Sequence, residues 1–147
     1  MIAVSKDEWV KDFGADYIIS KYDKVVEKVN DITNSKMADV VINSVGIGTW
    51  ESCFESVGAN GRLVTFGGLT GADVKLNVQS LYTRQIKLIG SSRGTSGTRA
   101  ELKDLINFSK ELKTKVWKRF KLDETKEAIQ ALFAKEKAGR IMLEIKS

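Results

Sequence analysis

The 147-residue chain contains no histidine, no proline and a single cysteine, Cys53. Without histidine the usual metal-site spacings and the imidazole general base are absent, and one cysteine excludes an internal disulfide. Reactions that need histidine, or a zinc held by histidine and several cysteines, are beyond this chain acting alone. Cys53 itself reads as a small apolar residue on a helix face. No stretch approaches the roughly 18 consecutive apolar residues of a membrane span. The start, MIAVSKDEW, has neither the basic region nor the long apolar core of a signal peptide, so a cytoplasmic location is expected. With no proline, no internal repeat and no low-complexity segment, no linker divides the chain.

What is present is the composition of a globular protein, 42% apolar and 29% charged, on a length that buries a real core. The net charge of +5 is unevenly spread: residues 1–83 carry 8 Lys and Arg against 11 Asp and Glu, and residues 84–147 carry 16 against 8. A basic second half invites a nucleic-acid reading, best supported by 113-KTKVWKRFK-121 with Trp117 and Phe120 among the lysines. The stronger reading is a strand with Val116, Phe120 and Leu122 inward and its other face solvated; lysine richness is also common in heat-adapted proteins.

Apolar periodicity organises the chain. Residues 2–4 read as the end of a strand. Ser5 with Glu8 forms a capping box for a short helix through Trp9, Val10 and Phe13 that Gly14 terminates. A strand over 16–20 leads to a helix over 23–33, whose Val25, Val26, Val29 and Ile32 share a face. Then come a strand at 39–44, a helix at about 48–57 with Trp50, Phe54 and Val57, and strands at 61–66 and 85–90. Thr98 and Glu101 form a second capping box, opening a helix with Leu102, Leu105, Ile106 and Leu112 as its buried stripe. Near-continuous Val and Ile strands alternating with amphipathic helices specify a parallel sheet covered on both faces, a doubly wound α/β arrangement. The end differs: 115–122 extended, about 124–138 helical with Ala128, Ile129, Leu132 and Phe133 inward, then 140-RIMLEI-145. This makes a strand-helix-strand appendage.

The stretch 39-DVVINSVGIGTW-50 runs an apolar strand into Gly46 and Gly48, the manner in which a chain is delivered to a phosphate-binding turn. It lacks the third glycine of G-x-G-x-x-G, with Glu51 at that position. Neither 67-GGLTG-71 nor 94-GTSG-97 has the lysine and hydroxyl of a P-loop, so nucleotide hydrolysis of that kind is rejected.

Taken in order, 14-GADYII-19, 39-DVVINSVG-46, 61-GRLVTFGGLTG-71, 81-LYTRQIKLIGSSRGT-95, 120-FKLDETKEAI-129 and 139-GRIML-143 resemble the second half of a medium-chain dehydrogenase/reductase. That family includes alcohol dehydrogenases, quinone oxidoreductases and enoyl reductases. The resemblance covers essentially the whole chain. It implies a truncated, Rossmann-like doubly wound parallel sheet whose first strand, pyrophosphate loop, first crossover helix and N-terminal catalytic domain are missing, so that the chain starts at the second strand. Residues 1–112 would be the incomplete NAD(P)-binding domain and 113–147 a segment that packs on the catalytic domain in the family.

In the strand order 3-2-1-4-5-6 the first strand is central, so its loss leaves two inner edges unpaired. Three outcomes are open: the sheet closes so that strand 2 meets strand 4, two copies pair through the edges, or a separate N-terminal chain fills the gap.

The resemblance also assigns residues. Ser5 and Lys6 stand where NAD-preferring members carry an acid, and would favour a 2′-phosphate, hence NADP; equally, Ser5 only caps its helix and Lys6 is solvated. Tyr22 lies where some NADP-using quinone oxidoreductases place a tyrosine beside that phosphate, at a spacing one residue longer. Ser44, Val45 and Gly46 would face the adenosine portion of NADP(H) or NAD(H). Phe66, Gly67, Gly90, Ser91 and Ser92 would approach the nicotinamide, and Arg140 would face the cofactor; plain turn geometry and a solvated charge are the alternatives. No catalytic residue and no metal ligand is assigned.

Without the pyrophosphate loop, whose charge-assisted hydrogen bonds contribute on the order of 1.5–3 kcal/mol each, binding would be weak and the chain not catalytic alone. A non-catalytic homo-oligomerisation module pairing through 84-RQIKLIG-90 is the competing expectation, with nucleic-acid binding third.

Overall fold

The computed structural model describes residues 1–92, 98–109 and 114–145, which form two compact units, Met1–Ser96 and Gly97–Ser147. Leu112 and all of 94-GTSG-97 lie outside the described residues. Among the described residues no helix is long and apolar enough to cross a membrane.

The first unit opens with strands β1 (Ile2–Val4) and β2 (Tyr17–Ile19), paired in parallel with Ile2 opposite Tyr17 and Val4 opposite Ile19. The 3-10 helix Glu8–Phe13 between them ends at Gly14 as the sequence predicts. Its start differs from the expectation: the Ser5 hydroxyl accepts from the Asp7 backbone N–H at 3.1 Å, a local turn, and Glu8 takes no part. Helix α1 (Val25–Ile32) buries Val25 and Val29 against Ile19, with Ile2, Ile32, Met37 and Ala38 around them.

Strand β3 (Ala38–Asn43) leads through helix α2 (Ile47–Glu55) to β4 (Val57–Thr65), and helix α3 (Val78–Thr83) leads to β5 (Lys87–Gly90). These strands form one parallel sheet in the order β3-β4-β5. Val57, expected on the helix, begins β4 instead, because its side chain is fully buried in the core with Phe54, Leu63 and Ile86. Trp50, Cys53, Leu76 and Leu81 close that core on the α2 side. The other face of the sheet carries Val40 and Ile42, which are 46% and 62% exposed.

The parallel architecture is therefore the expected α/β one, but β1-β2 and β3-β4-β5 are two separate sheets. Strand β1 pairs only with β2, and β3 only with β4. Closure of the sheet by direct pairing of β1 with β3 does not occur.

The second unit contains helix α4 (Arg99–Ser109), strand β6 (Val116–Lys121), helix α5 (Thr125–Ala131) and strand β7 (Arg140–Glu144). Strands β6 and β7 pair in parallel, with Phe120 opposite Leu143, giving the strand-helix-strand appendage. Helix α5 is shorter than its sequence pattern. From Leu132 the backbone tightens into three-residue turns, as Leu132, Phe133 and Ala134 donate to Ile129, Gln130 and Ala131. Of its expected inward residues only Ala128 is buried, and Phe133 is 83% exposed. Leu102, Leu105 and Ile106 of α4 are likewise more than half exposed, so the expected stripe has the right period but no cover.

The α4 capping box is as expected: the Thr98 N–H donates to Glu101 at 2.6 Å and the Glu101 N–H donates to the Thr98 hydroxyl at 3.2 Å. The Thr98 N–H holds the Glu101 carboxyl below the ordinary glutamate value. A depressed folded pKa stabilises above the unfolded value and ceases to as pH falls through the folded one. The α4 helical signal in circular dichroism is thus expected to decline on acidification below about pH 4.3, and Glu101→Gln to remove that dependence. Leu63→Ala, at a fully buried position, is expected to lower stability by about 2–5 kcal/mol in urea unfolding. Ile42→Ala is expected to cost less than about 1 kcal/mol.

Candidate functional site

Strand β3 runs through Val40, Val41 and Ile42 to its last residue, Asn43, which is 1% exposed. A buried carboxamide must find partners, and Asn43 finds four. Its oxygen accepts from the backbone N–H of Val45 and of Gly46, both at 2.9 Å, and from the Thr49 hydroxyl at 3.2 Å. Its amide nitrogen donates to the Gly46 carbonyl at 3.2 Å. This Asx-type turn folds the chain back from the strand end into α2.

The turn is locked to the loop that follows β4. The Thr70 N–H and hydroxyl both donate to the Val45 carbonyl, at 2.9 and 3.0 Å, and the Thr70 hydroxyl accepts from the Gly48 N–H at 2.8 Å. The Ile47 N–H donates to the Gly71 carbonyl at 3.0 Å. Backbone approaches backbone so closely that only glycine fits. A Cβ on Gly46, whose φ is +98°, would lie 2.4 Å from the Gly71 oxygen, and one on Gly67 would lie 2.2 Å from the Ser44 oxygen.

The first N–H groups of α2 are therefore already engaged. Ile47 and Gly48 donate to Gly71 and Thr70, and Thr49 donates to Gly46 at 3.3 Å. A helix N-terminus binds a phosphate through free N–H groups. This one is closed by the neighbouring loop, so the glycines of VGIG serve packing and not anion binding.

Beyond the locked turn lies an open crevice of about 570 Å³ lined by Ser44, Phe66, Gly67, Gly68 and Leu69. Phe66 and Leu69 are 54% and 88% exposed, so the crevice offers an apolar wall beside backbone polar groups. The strand ends are in step: Asn43 is opposite Thr65, and Thr65 opposite Gly90. The Ser91 N–H donates to the Thr65 carbonyl at 2.8 Å. Gly90 differs from the glycines of the locked turn. Among the described residues nothing lies within 4 Å of a Cβ placed there, and its φ is not positive. Neither packing nor backbone conformation requires glycine at that strand end.

Ser44, Val45, Gly46, Phe66 and Gly67 thus come together at the ends of β3 and β4, with Gly90, Ser91 and Ser92 at the end of the neighbouring strand. A second group forms at the end of β1. The Lys6 ammonium lies 5.7 Å from the centroid of the Tyr22 ring, with Ser5 adjacent in sequence. Among the described residues Lys6 has no carboxylate within ion-pair distance. Arg140 belongs to the second unit, where it begins β7 and donates its backbone N–H to the Lys115 carbonyl at 2.8 Å.

Sequence reasoning missed Asn43 and Thr70. The available signal was an asparagine ending an aliphatic strand three residues before a glycine. No group of three or more His, Cys, Asp or Glu side chains among the described residues is placed to hold a metal ion. Cys53 is half-buried on α2, and burial pushes its thiol pKa up. Asn43→Ala, which leaves the Val45 and Gly46 N–H groups without their acceptor, is expected to lower stability by about 2–3 kcal/mol in urea unfolding.

Comparison with known proteins places this site in a lineage. Residues 1–111 match the family described as zinc-binding dehydrogenase. The quinone oxidoreductase of Salmonella typhimurium is 31% identical over 112 residues, which are 71% of this chain and 33% of that protein. The crystal structure of AibC superposes with a TM-score of 0.80 at 26% identity, covering 98% of this chain and 42% of that one. A cobalt- and zinc-bound thermostable alcohol dehydrogenase from Pyrobaculum aerophilum gives 0.76 at 26% identity with the same coverage. The chain therefore spans less than half the length of each of these proteins. On its sequence match and its parallel α/β fold, it belongs to the zinc-binding dehydrogenase family.

Proposed function

We propose that this chain is the cofactor-binding half of an NAD(P)-dependent oxidoreductase of the alcohol dehydrogenase and quinone oxidoreductase type, with a preference for NADP. The observation that carries the reading is the crevice at the ends of β3 and β4, together with the unexplained glycine that ends the neighbouring strand β5 opposite Thr65. Gly90 leaves open the space that a flat group lying against the strand end needs. Ser44 and the Val45–Gly46 turn would hold the adenosine portion, and Phe66 and Gly67 with Ser91 and Ser92 the nicotinamide end. The 2′-phosphate would be met by Lys6, a cation without a carboxylate partner among the described residues, beside Ser5 and Tyr22.

When bound, the nicotinamide ring supplies or accepts a hydride. The chain's own part is to orient that ring and keep water from one side of it with Phe66. It has no histidine to act on the substrate as acid or base, and its one cysteine packs against the core. Nor does any cluster of His, Cys, Asp or Glu side chains among the described residues fit a zinc ion. With the N-terminus of α2 closed, the pyrophosphate meets no free helix N–H there, so binding to these residues alone is weak and catalysis requires residues that they do not include.

The competing reading, a non-catalytic module that self-associates through β5, is favoured by the exposure of Leu88 and Ile89, each 39%. Thermal unfolding separates the two. Saturable protection by NADPH, stronger than by NADH, is expected, and reaches about 2.7 kcal/mol at a hundredfold excess over Kd. Gly90→Val is expected to leave the ligand-free midpoint nearly unchanged and to abolish protection. Lys6→Glu is expected to reduce the response to NADPH and spare that to NADH. A salt-resistant dimer without response to either nucleotide would support the module instead.

A further inference from the structure

Strand β4 is interrupted just after it begins. Its Val57 is level with Ala38 and its Arg62 with Val40, so residues 58–61 bulge out between two paired positions. The bulge sets two steric requirements. Asn60 takes a left-handed backbone, with φ +61°, a conformation that asparagine tolerates better than most residues with a side chain. Its backbone N–H donates to the Arg84 carbonyl at 2.8 Å, which ties that conformation to the turn between α3 and β5. At the next position a Cβ would lie 2.6 Å from Val57 Cγ1 and 2.8 Å from the Gly58 oxygen, so only glycine fits at Gly61. The fold thus selects Asn-Gly here, and no other asparagine of the chain is followed by glycine.

We infer that Asn60 is a modification site, a residue that deamidates spontaneously through its own backbone with water as co-reactant. The Gly61 nitrogen, after losing its proton, attacks Asn60 Cγ, and a residue without Cβ obstructs that approach least. A C–N bond forms, the Cγ–Nδ2 bond breaks and the departing nitrogen takes up a proton to leave as ammonia. Water then opens the cyclic imide at one carbonyl or the other, giving aspartate or isoaspartate with no change in oxidation state. The isoaspartate form routes the main chain through Cβ and so inserts a methylene between Val57 and Leu63, both fully buried.

The other asparagines lack one requirement or another. The Asn43 carboxamide is buried with four partners, and that of Asn77 accepts from the Ser80 N–H at 2.9 Å. Asn30 and Asn107 lie inside α1 and α4, where the next residue's N–H belongs to the helical ladder. Asn34 is exposed and left-handed at φ +50°, but the Ser35 N–H that would have to attack donates to the Asn30 carbonyl at 2.9 Å. Asn60 is exposed, and among the described residues its carboxamide has no hydrogen-bond partner. The inference is independent of the cofactor reading, because the bulge lies at the opposite end of β4 from the crevice.

The test is prolonged incubation of the full, folded chain in mildly alkaline buffer, beside the same chain unfolded in urea, followed by isoelectric focusing and fragment-ion mass spectrometry of proteolytic peptides. The net charge is expected to fall from +5 to +4 as a neutral amide becomes a carboxylate, giving one new acidic band. Fragment ions are expected to place the amide-to-acid conversion at Asn60, faster at higher pH because the attacking nitrogen must be deprotonated. Methyl transfer from S-adenosylmethionine by an isoaspartyl carboxyl methyltransferase is expected to label the acidic band. Asn60→Gly, which accepts the left-handed backbone, is expected to yield neither band nor label. Conversion of Asn60 in the unfolded chain alone overturns the inference, since the bulge would then hold the pair out of reach. So do conversion first at Asn34 or Asn43, undiminished acidification of Asn60→Gly, and an acidic band without label, which would mean direct hydrolysis with no imide.

Discussion

Four hydrogen bonds to one buried carboxamide fix the part of the molecule on which its recognisable chemistry depends. Asn43 ends β3, directs the chain into α2 and, through Val45, presents a carbonyl that Thr70 grips from the next loop. Neutral hydrogen bonds contribute about 1 kcal/mol each when made, and cost more when a buried partner is stranded. The turn is therefore cooperative: loss of the carboxamide strands several donors at once. Everything the crevice offers, from Ser44 to Leu69, hangs on this turn and the loop it holds.

The same turn explains why a glycine-rich strand end is not always an anion site. Phosphate binding needs N–H groups with nothing else to do, and those of Ile47 and Gly48 are occupied by Gly71 and Thr70. Two otherwise similar G-x-G stretches can thus differ in function according to whether the next loop reaches them. The separation of the two sheets in the first unit has the opposite character. There, among the described residues, β1 pairs with β2 and β3 with β4, and the apolar side chains of Val4, Val40 and Ile42 stay exposed.

Most of this architecture was legible in the sequence because period and burial agreed. The strands expected at 39–44 and 61–66, the α1 face of Val25 and Val29, and the Thr98–Glu101 box correspond to β3, β4, α1 and the start of α4. The failures share a cause: residues with the right pattern and the wrong context. Val57 has helical spacing with Phe54 but starts a strand, since the core fills from β4. Leu102, Leu105 and Ile106 have the period of a buried stripe and remain exposed, because periodicity reports what a helix is able to bury and not whether a surface is present to receive it. The site was legible as a location, since strand ends in a doubly wound fold are where ligands sit. Its mechanics were not, because the Thr70 contacts that lock the Asn43 turn join residues more than twenty positions apart.

The interlock of Ser44 with Gly67, and of Gly46 with Gly68 and Gly71, is made of main chain meeting main chain. Such a wall has no rotamers to adjust. Its contour survives exchange of nearly any side chain around it, but not replacement of the glycines themselves. Leu69, 88% exposed on the outer lip, has no comparable restraint. One side of the crevice therefore acts as a rigid template and the other as a compliant flap, so that the shape of what can enter is set by the first and how firmly it is held by the second.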